Sequence, residues 1–295
     1  WSQAALVPAA STFHFCSDAS TDRLARSPPV LLTALDRDQE SLTSWWASSR
    51  GPTAVFGSPG SGRTRSLANL AGNVIHAGGR VLYIVPDSSS IAAMTAALEE
   101  FQIAQFAVNL SKGPSAMRCL RERFAAIREL AGSQQSSRSL EYSEQTSAYH
   151  RHCDIMANAR RRLEQSTSST SSENTQLYLR QFLDAQADCL ASAQEMVAAK
   201  CQARLLMAAQ ILTQGQRPDL ADACSELLTT DSTDDDCVAR TVEFTELVLM
   251  LSPIVLATPQ DVSVWLTCPS NKKLFDTTII DDAQQVQPHE VSRAI

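Results

Sequence analysis

The chain has 295 residues, 44 % of them apolar and 19 % charged. That is the length of one large domain or two small ones, with enough apolar residues for a packed core, which excludes a disordered chain. Its net charge of -7 excludes a uniformly basic nucleic-acid binder but leaves room for a local basic groove.

The longest apolar stretch, Leu247 to Ala257, is interrupted by Ser252 and Pro253 and is too short to cross a bilayer, so no membrane contact is expected. The opening W-S-Q-A-A-L-V-P lacks the basic region of a signal peptide. The eight cysteines are scattered without a C-x-x-C pair, as suits a reducing, intracellular compartment, nuclear or cytoplasmic. His150, His152 and Cys153 lie close together but lack a second ligand pair, and a polar helix surface is expected there.

In chain order, residues 1–30 carry few structural signals and form an N-terminal extension that Pro28-Pro29 closes. Leu31, Leu32, Leu35, Leu42, Trp45 and Trp46 predict a helix, ended by Arg50-Gly51-Pro52. A short β-like run, Thr53 to Phe56, leads into a glycine-rich loop, Gly57 to Gly62, and then a helix from Thr64 toward His76. Val81 to Val85 reads as a buried parallel strand, and Ile91 to Glu100 as a helix. From about 115 to 250 the composition turns to Ala, Gln, Ser, Arg and Leu. Helices are predicted at Met117 to Leu130, Glu141 to Leu163 and Gln176 to Leu212, separated by Ser-rich spacers at Ser133 to Ser139 and Ser166 to Ser172. Three arginines, Arg160 to Arg162, and the acidic run Asp231 to Asp236 read as solvated surface. Strand-like runs return at Ile254 to Ala257 and Phe275 to Ile280. An α/β pattern thus opens and closes the chain, at residues 31–114 and 251–295, around a helical insertion at 115–250.

Two motifs carry chemistry. The run Gly57-Ser58-Pro59-Gly60-Ser61-Gly62-Arg63-Thr64 has the spacing of a phosphate-binding loop, with arginine where lysine is usual. Glycines let backbone N–H groups surround phosphates, and the following helix adds its dipole. Thr64 would offer its hydroxyl to Mg2+. Arg63 is planar and bulkier than lysine, so weakened catalysis is expected more than lost binding. The second motif is Phe275 to Gln285, an apolar strand ending in Asp281 and Asp282. Asp281 would hold Mg2+, and Asp282 stands where a general base would orient water, one methylene shorter than glutamate. Read singly, a glycine-rich turn and an acidic helix cap would give the same patterns.

Together these residues resemble superfamily 1 helicases, in the branch of the nonsense-mediated-decay RNA helicase and senataxin. That branch typically reads G-P-P-G-T-G-K-T and D-E-A-x-Q where this chain has G-S-P-G-S-G-R-T and D-D-A-Q-Q. Leu35-Asp36-Arg37-Asp38-Gln39 is similar to the family's L-N-x-x-Q, whose glutamine reads adenine, which implies that role for Gln39. Val81 to Ser88 is similar to the motif Ia strand and turn, implying single-strand backbone contacts at Asp87 and Ser88. Ile254 to Thr258 is similar to V-x-x-A-T and adds Thr258.

The resemblance implies a RecA-like P-loop NTPase domain with a central parallel sheet and a long helical insertion. ATP and Mg2+ would bind through Gln39, Gly57, Ser58, Pro59, Gly60, Ser61, Gly62, Arg63, Thr64 and Asp281, with Asp282 and Gln285 catalytic and single-stranded RNA or DNA beyond. The sequence covers only the first of the family's two motor domains. Arg63 and Asp282 depart from the family pattern at the positions for phosphate contact and water activation. The alternative is an impaired helicase-like module that acts as a scaffold, with a protein partner at the helical insertion. A third reading, an unrelated P-loop ATPase or kinase, fits D-D-A-Q-Q and Gln39 less well.

Overall fold

Four short, apolar or β-branched runs build the sheet at the centre of this computed structural model. It describes residues 7–8, 29–48, 53–57, 60–131, 137–167, 172–213, 219–220, 222, 242–266 and 273–286. Strands β3 (Val81–Ile84), β4 (Ala107–Asn109), β5 (Ile254–Ala257) and β6 (Thr277–Ile280) form one parallel sheet in the order β4-β5-β3-β6. β3 and β5 are buried throughout, which is why they are continuous apolar runs without alternation. The register sets Tyr83 opposite Leu256 on one side and Ile279 on the other. The chain is therefore an α/β protein with a parallel sheet and mostly helical content. β4 is three residues long and was not predicted, because so short a run carries no periodicity.

The run before the glycine loop departs from expectation. β2 (Thr53–Ala54) pairs antiparallel with β1 (Val7–Pro8) and stands outside the parallel sheet. Val55 and Phe56, expected in the strand, are exposed, Phe56 by 63 %.

The predicted first helix also starts later than expected. Helix α1 spans Arg37–Ser48, and residues 29–36 are irregular. The cause lies in helix α2 (Arg63–His76), which carries two buried asparagines one turn apart. Asn73 accepts from Val30 N–H and donates to Val30 C=O, both at 2.7 Å. Asn69 accepts from Leu32 N–H at 2.8 Å and donates to Thr43 of α1 at 3.1 Å. These side chains satisfy the N–H groups of Val30 and Leu32 and the carbonyl of Val30 without a helix, so the segment packs on α2 in an irregular conformation.

Helix α3 (Ile91–Glu100) falls where the sequence predicts it. Helices α4 (Pro114–Ala131), α5 (Ser137–Thr167) and α6 (Ser172–Thr213) fill the expected insertion, and each is longer than predicted. Their ends take in residues 137–139, 166–167 and 172 of the Ser-rich spacers. Helix α7 (Val242–Leu251) leads into β5, and α8 (Pro259–Trp265) follows it. Most of the N-terminal extension and the acidic run Asp231 to Asp236 lie outside the described residues.

The insertion does not simply project from the sheet domain. α5 and α6, of 31 and 42 residues, pair as a hairpin about 46 and 63 Å long. Across it His152 Nδ1 lies 2.5 Å from Ser192 Oγ, and the thiols of Cys153 and Cys189 are 3.5 Å apart. The root of α6 belongs to the main core: Ala193, Met196, Val197, Cys201 and Ala209 are in the same buried cluster as β3 and β5. So are Met117, Leu120 and Phe124 of α4. Polar contacts tie the same joint. Gln194 donates to Leu32 C=O at 2.8 Å, and Arg204 to the carbonyls of Gly78 and Gly79 at 3.0 and 2.8 Å. Arg123 of α4 donates to the carbonyls of Ala107 and Leu251. The hydrophobic core therefore runs across the boundary that composition suggests at residue 115.

Candidate nucleotide site

Parallel strands end together, and in this chain their carboxyl ends gather the predicted residues. β3 runs into Asp87 and Ser88, β5 into Thr258, and β6 into Asp281 and Asp282. The amino end of α2 meets the acidic pair. Arg63 Nη2 donates to Asp282 Oδ1 at 2.6 Å across 219 residues of sequence. Arg63 Nε lies 3.0 Å from Asp281 Oδ1, an ionic approach whose N–H direction misses the oxygen. The glycine loop and the acidic motif are thus one site.

Within the loop, Gly60 and Gly62 have φ of 81° and 74°, a backbone region that glycine enters without strain. A Cβ on Gly62 would also stand 2.8 Å from Gln39 Nε2. Ser66 N–H and Oγ both donate to Gly62 C=O, at 3.0 and 3.1 Å, closing the first turn of α2. Thr64 sits half-buried in that turn, and Gly57 and Ser61 are exposed beside it. Ser58 and Pro59 lie outside the described residues.

Gln39 links the start of α1 to the loop. Its amide donates to Ser61 C=O at 2.7 Å, and its carbonyl accepts from Asp36 N–H at 3.0 Å. Asp36 in turn caps α1 by accepting from the N–H groups of Asp38 and Gln39. The side chain is spent at both ends as a strut between the start of α1 and the loop.

The acidic pair is held from behind by a residue that motif reading missed. Tyr83, on β3, donates its hydroxyl to Asp281 Oδ2 at 2.5 Å. Burial, and then this bond, push the Tyr83 phenol well above its ordinary pKa, so it remains a donor. The only signal in the sequence is a tyrosine in an otherwise aliphatic buried strand. Asp281 is 8 % exposed and also accepts from Asp282 N–H at 2.9 Å. Asp282 adopts φ 48° and ψ 44°, a left-handed conformation uncommon outside glycine.

The donors fit Mg2+ in kind, since two carboxylates and a hydroxyl are hard oxygen ligands. They do not fit it as arranged. The guanidinium of Arg63 takes one oxygen of each carboxylate, and Tyr83 takes the second oxygen of Asp281. Among the described residues no cluster of three or more His, Cys, Asp or Glu could hold a metal ion.

The remaining predicted residues have local duties. Asp87 accepts from the N–H groups of Ser89 and Ser90 at the start of α3, and its hydrogen bonds with Ser89 hold its carboxyl below the usual value. Ser88 is exposed. Thr258 forms a reciprocal cap with Asp261: Asp261 N–H donates to Thr258 Oγ1 at 3.3 Å, and Thr258 N–H to Asp261 Oδ2 at 2.9 Å. Gln285 is exposed in a single 3-10 turn after the acidic pair.

The chain matches no family model, no curated protein and no solved structure. Among the described residues no helix is long and apolar enough to cross a membrane.

Proposed function

We propose that this chain is an ATP-binding RecA-like P-loop NTPase domain, the first motor domain of a superfamily 1 RNA or DNA helicase that unwinds or moves along nucleic acid in a complete motor. The supporting observation is the convergence at one end of the parallel sheet. Two segments about 220 residues apart bring the positive end of α2 against Asp281 and Asp282. Backbone N–H groups at a helix start, with glycines that permit close approach, suit the phosphates of ATP. Gln39 supports the loop from below, and Tyr83 keeps Asp281 aimed at it. Single-stranded RNA or DNA enters this reading through the order of the motifs, with Asp87 and Ser88 exposed after β3. Mg2+ would join the site only after Arg63 leaves the carboxylates.

A second reading, a catalytically impaired scaffold, is favoured by a specific observation. One oxygen of Asp282 is bonded to Arg63, so neither side chain stands free for the role its motif position suggests. The far part of the α5–α6 hairpin exposes Ile155, Leu177, Leu179 and Leu183, a surface suited to a protein partner.

A titration with a fluorescent ATP analogue tests nucleotide binding. The chain is expected to bind it saturably, and Gly62→Val to lose at least tenfold in affinity, because valine cannot adopt φ 74° beside Gln39. No saturable binding by the chain with its helical circular dichroism intact would overturn the nucleotide-site reading.

A further inference from the structure

We propose that Asp282 is an affinity-setting residue that latches Arg63 away from the phosphate loop, so that nucleotide binding and the Arg63–Asp282 bridge exclude each other. This rests on the nucleotide-site reading above.

Three observations carry it. First, the loop's one cationic side chain is turned to the acidic motif: Nη2 of Arg63 donates to Asp282 at 2.6 Å while Nε rests 3.0 Å from Asp281. With Nη2 bonded to Asp282 and Nε against Asp281, two of the three guanidinium nitrogens face carboxylates, and only Nη1 is left for a phosphate lying in the loop. Second, the bridge is shielded. The side chains of Asp281 and Asp282 are 10 % and 26 % exposed and that of Arg63 is 36 % exposed, so the ion pair is less screened than one in open solvent. Third, the better-directed hydrogen bond goes to Asp282, whose left-handed backbone offers its carboxylate to Arg63. Asp281 has other donors, Tyr83 and its neighbour's N–H. Asp282 is therefore the hook, and Asp281 the fixed wall behind it. The charges agree: one guanidinium between two carboxylates leaves a net negative site facing an anionic ligand.

The test measures equilibrium affinity for ATP, by calorimetry or the fluorescent analogue, in four proteins: wild type, Asp282→Asn, Arg63→Gln and the double variant. Asparagine is well suited to the left-handed conformation, so Asp282→Asn keeps the turn. Asp282→Asn is expected to bind ATP roughly five- to tenfold more tightly than wild type, the net worth of one partly exposed hydrogen bond. In the Arg63→Gln background the same change should give little gain, because there is no arginine to release. Equal affinities for wild type and Asp282→Asn would overturn the latch while leaving the nucleotide site standing. An equal gain in both backgrounds would overturn it too, since relief of plain repulsion would then suffice. No binding by any of the four, all folded, would instead remove the nucleotide-site reading on which the latch rests.

Discussion

At the scale of single residues, polar side chains inside the core explain most of what is particular to this chain. Asn69 and Asn73 hold an irregular segment against α2, and the same face of α2 ends in His76. His76 is buried, and no hydrogen bond reaches its Nδ1. Burial, and then the Lys200 ammonium, lower its pKa to about 4. The folded state therefore holds the neutral ring where the unfolded chain takes a proton, near pH 6.5. Its contribution is complete above pH 6.5 and is lost as pH falls toward 4, by up to about 3 kcal/mol. Urea unfolding of wild type and His76→Leu between pH 7 and pH 4 checks this. The stability of wild type should fall more steeply than that of the variant. Parallel curves would show that His76 does not carry the acid sensitivity.

At the scale of elements, the α5–α6 hairpin divides into a root and an exposed far part. The root joins the main core through Met196 and Val197, both nearly inaccessible, whereas Leu179 is 45 % exposed. Met196→Ala is expected to cost about 2–4 kcal/mol, as core truncations do, and Leu179→Ala less than about 0.5 kcal/mol. Chemical unfolding midpoints of the two variants distinguish root from far part; similar values would contradict the division. The sequence announces both helices through composition and length, because helical periodicity is a local property. It does not announce which half of α6 is buried. That depends on where α2, α4 and α7 lie against it. The strand β2 is a second instance. Thr53 to Phe56 reads as a strand before a phosphate loop, yet its hydrogen bonds go to Val7–Pro8, a pairing that no local pattern encodes.

At the scale of the whole molecule, one hydrophobic cluster extends from Val30 through α4 and α6 to Ile279. A core shared by the expected sheet domain and the expected insertion should unfold in one step. Ellipticity at 222 nm, dominated by the long hairpin, and tryptophan fluorescence, which includes Trp46 near Thr277 and the buried Trp265, are expected to give coincident urea transitions. Separate midpoints would mean that the hairpin is an independent unit.

The sequence by itself determined the α/β pattern, the buried runs of β3 and β5, the long helices between them, and the two motifs whose spacing suggests phosphate binding. Each of these is written in neighbouring residues: a continuous apolar run, a helical period, glycines at fixed offsets. Tertiary structure alone decided that Arg63 turns to Asp281 and Asp282, that Gln39 braces Ser61, that Tyr83 backs Asp281, and that two asparagines keep residues 29–36 from joining α1. The physical reason is common to all four. A polar side chain chooses its partner from whatever donors and acceptors the fold brings within about 3 Å, and those come from distant parts of the chain.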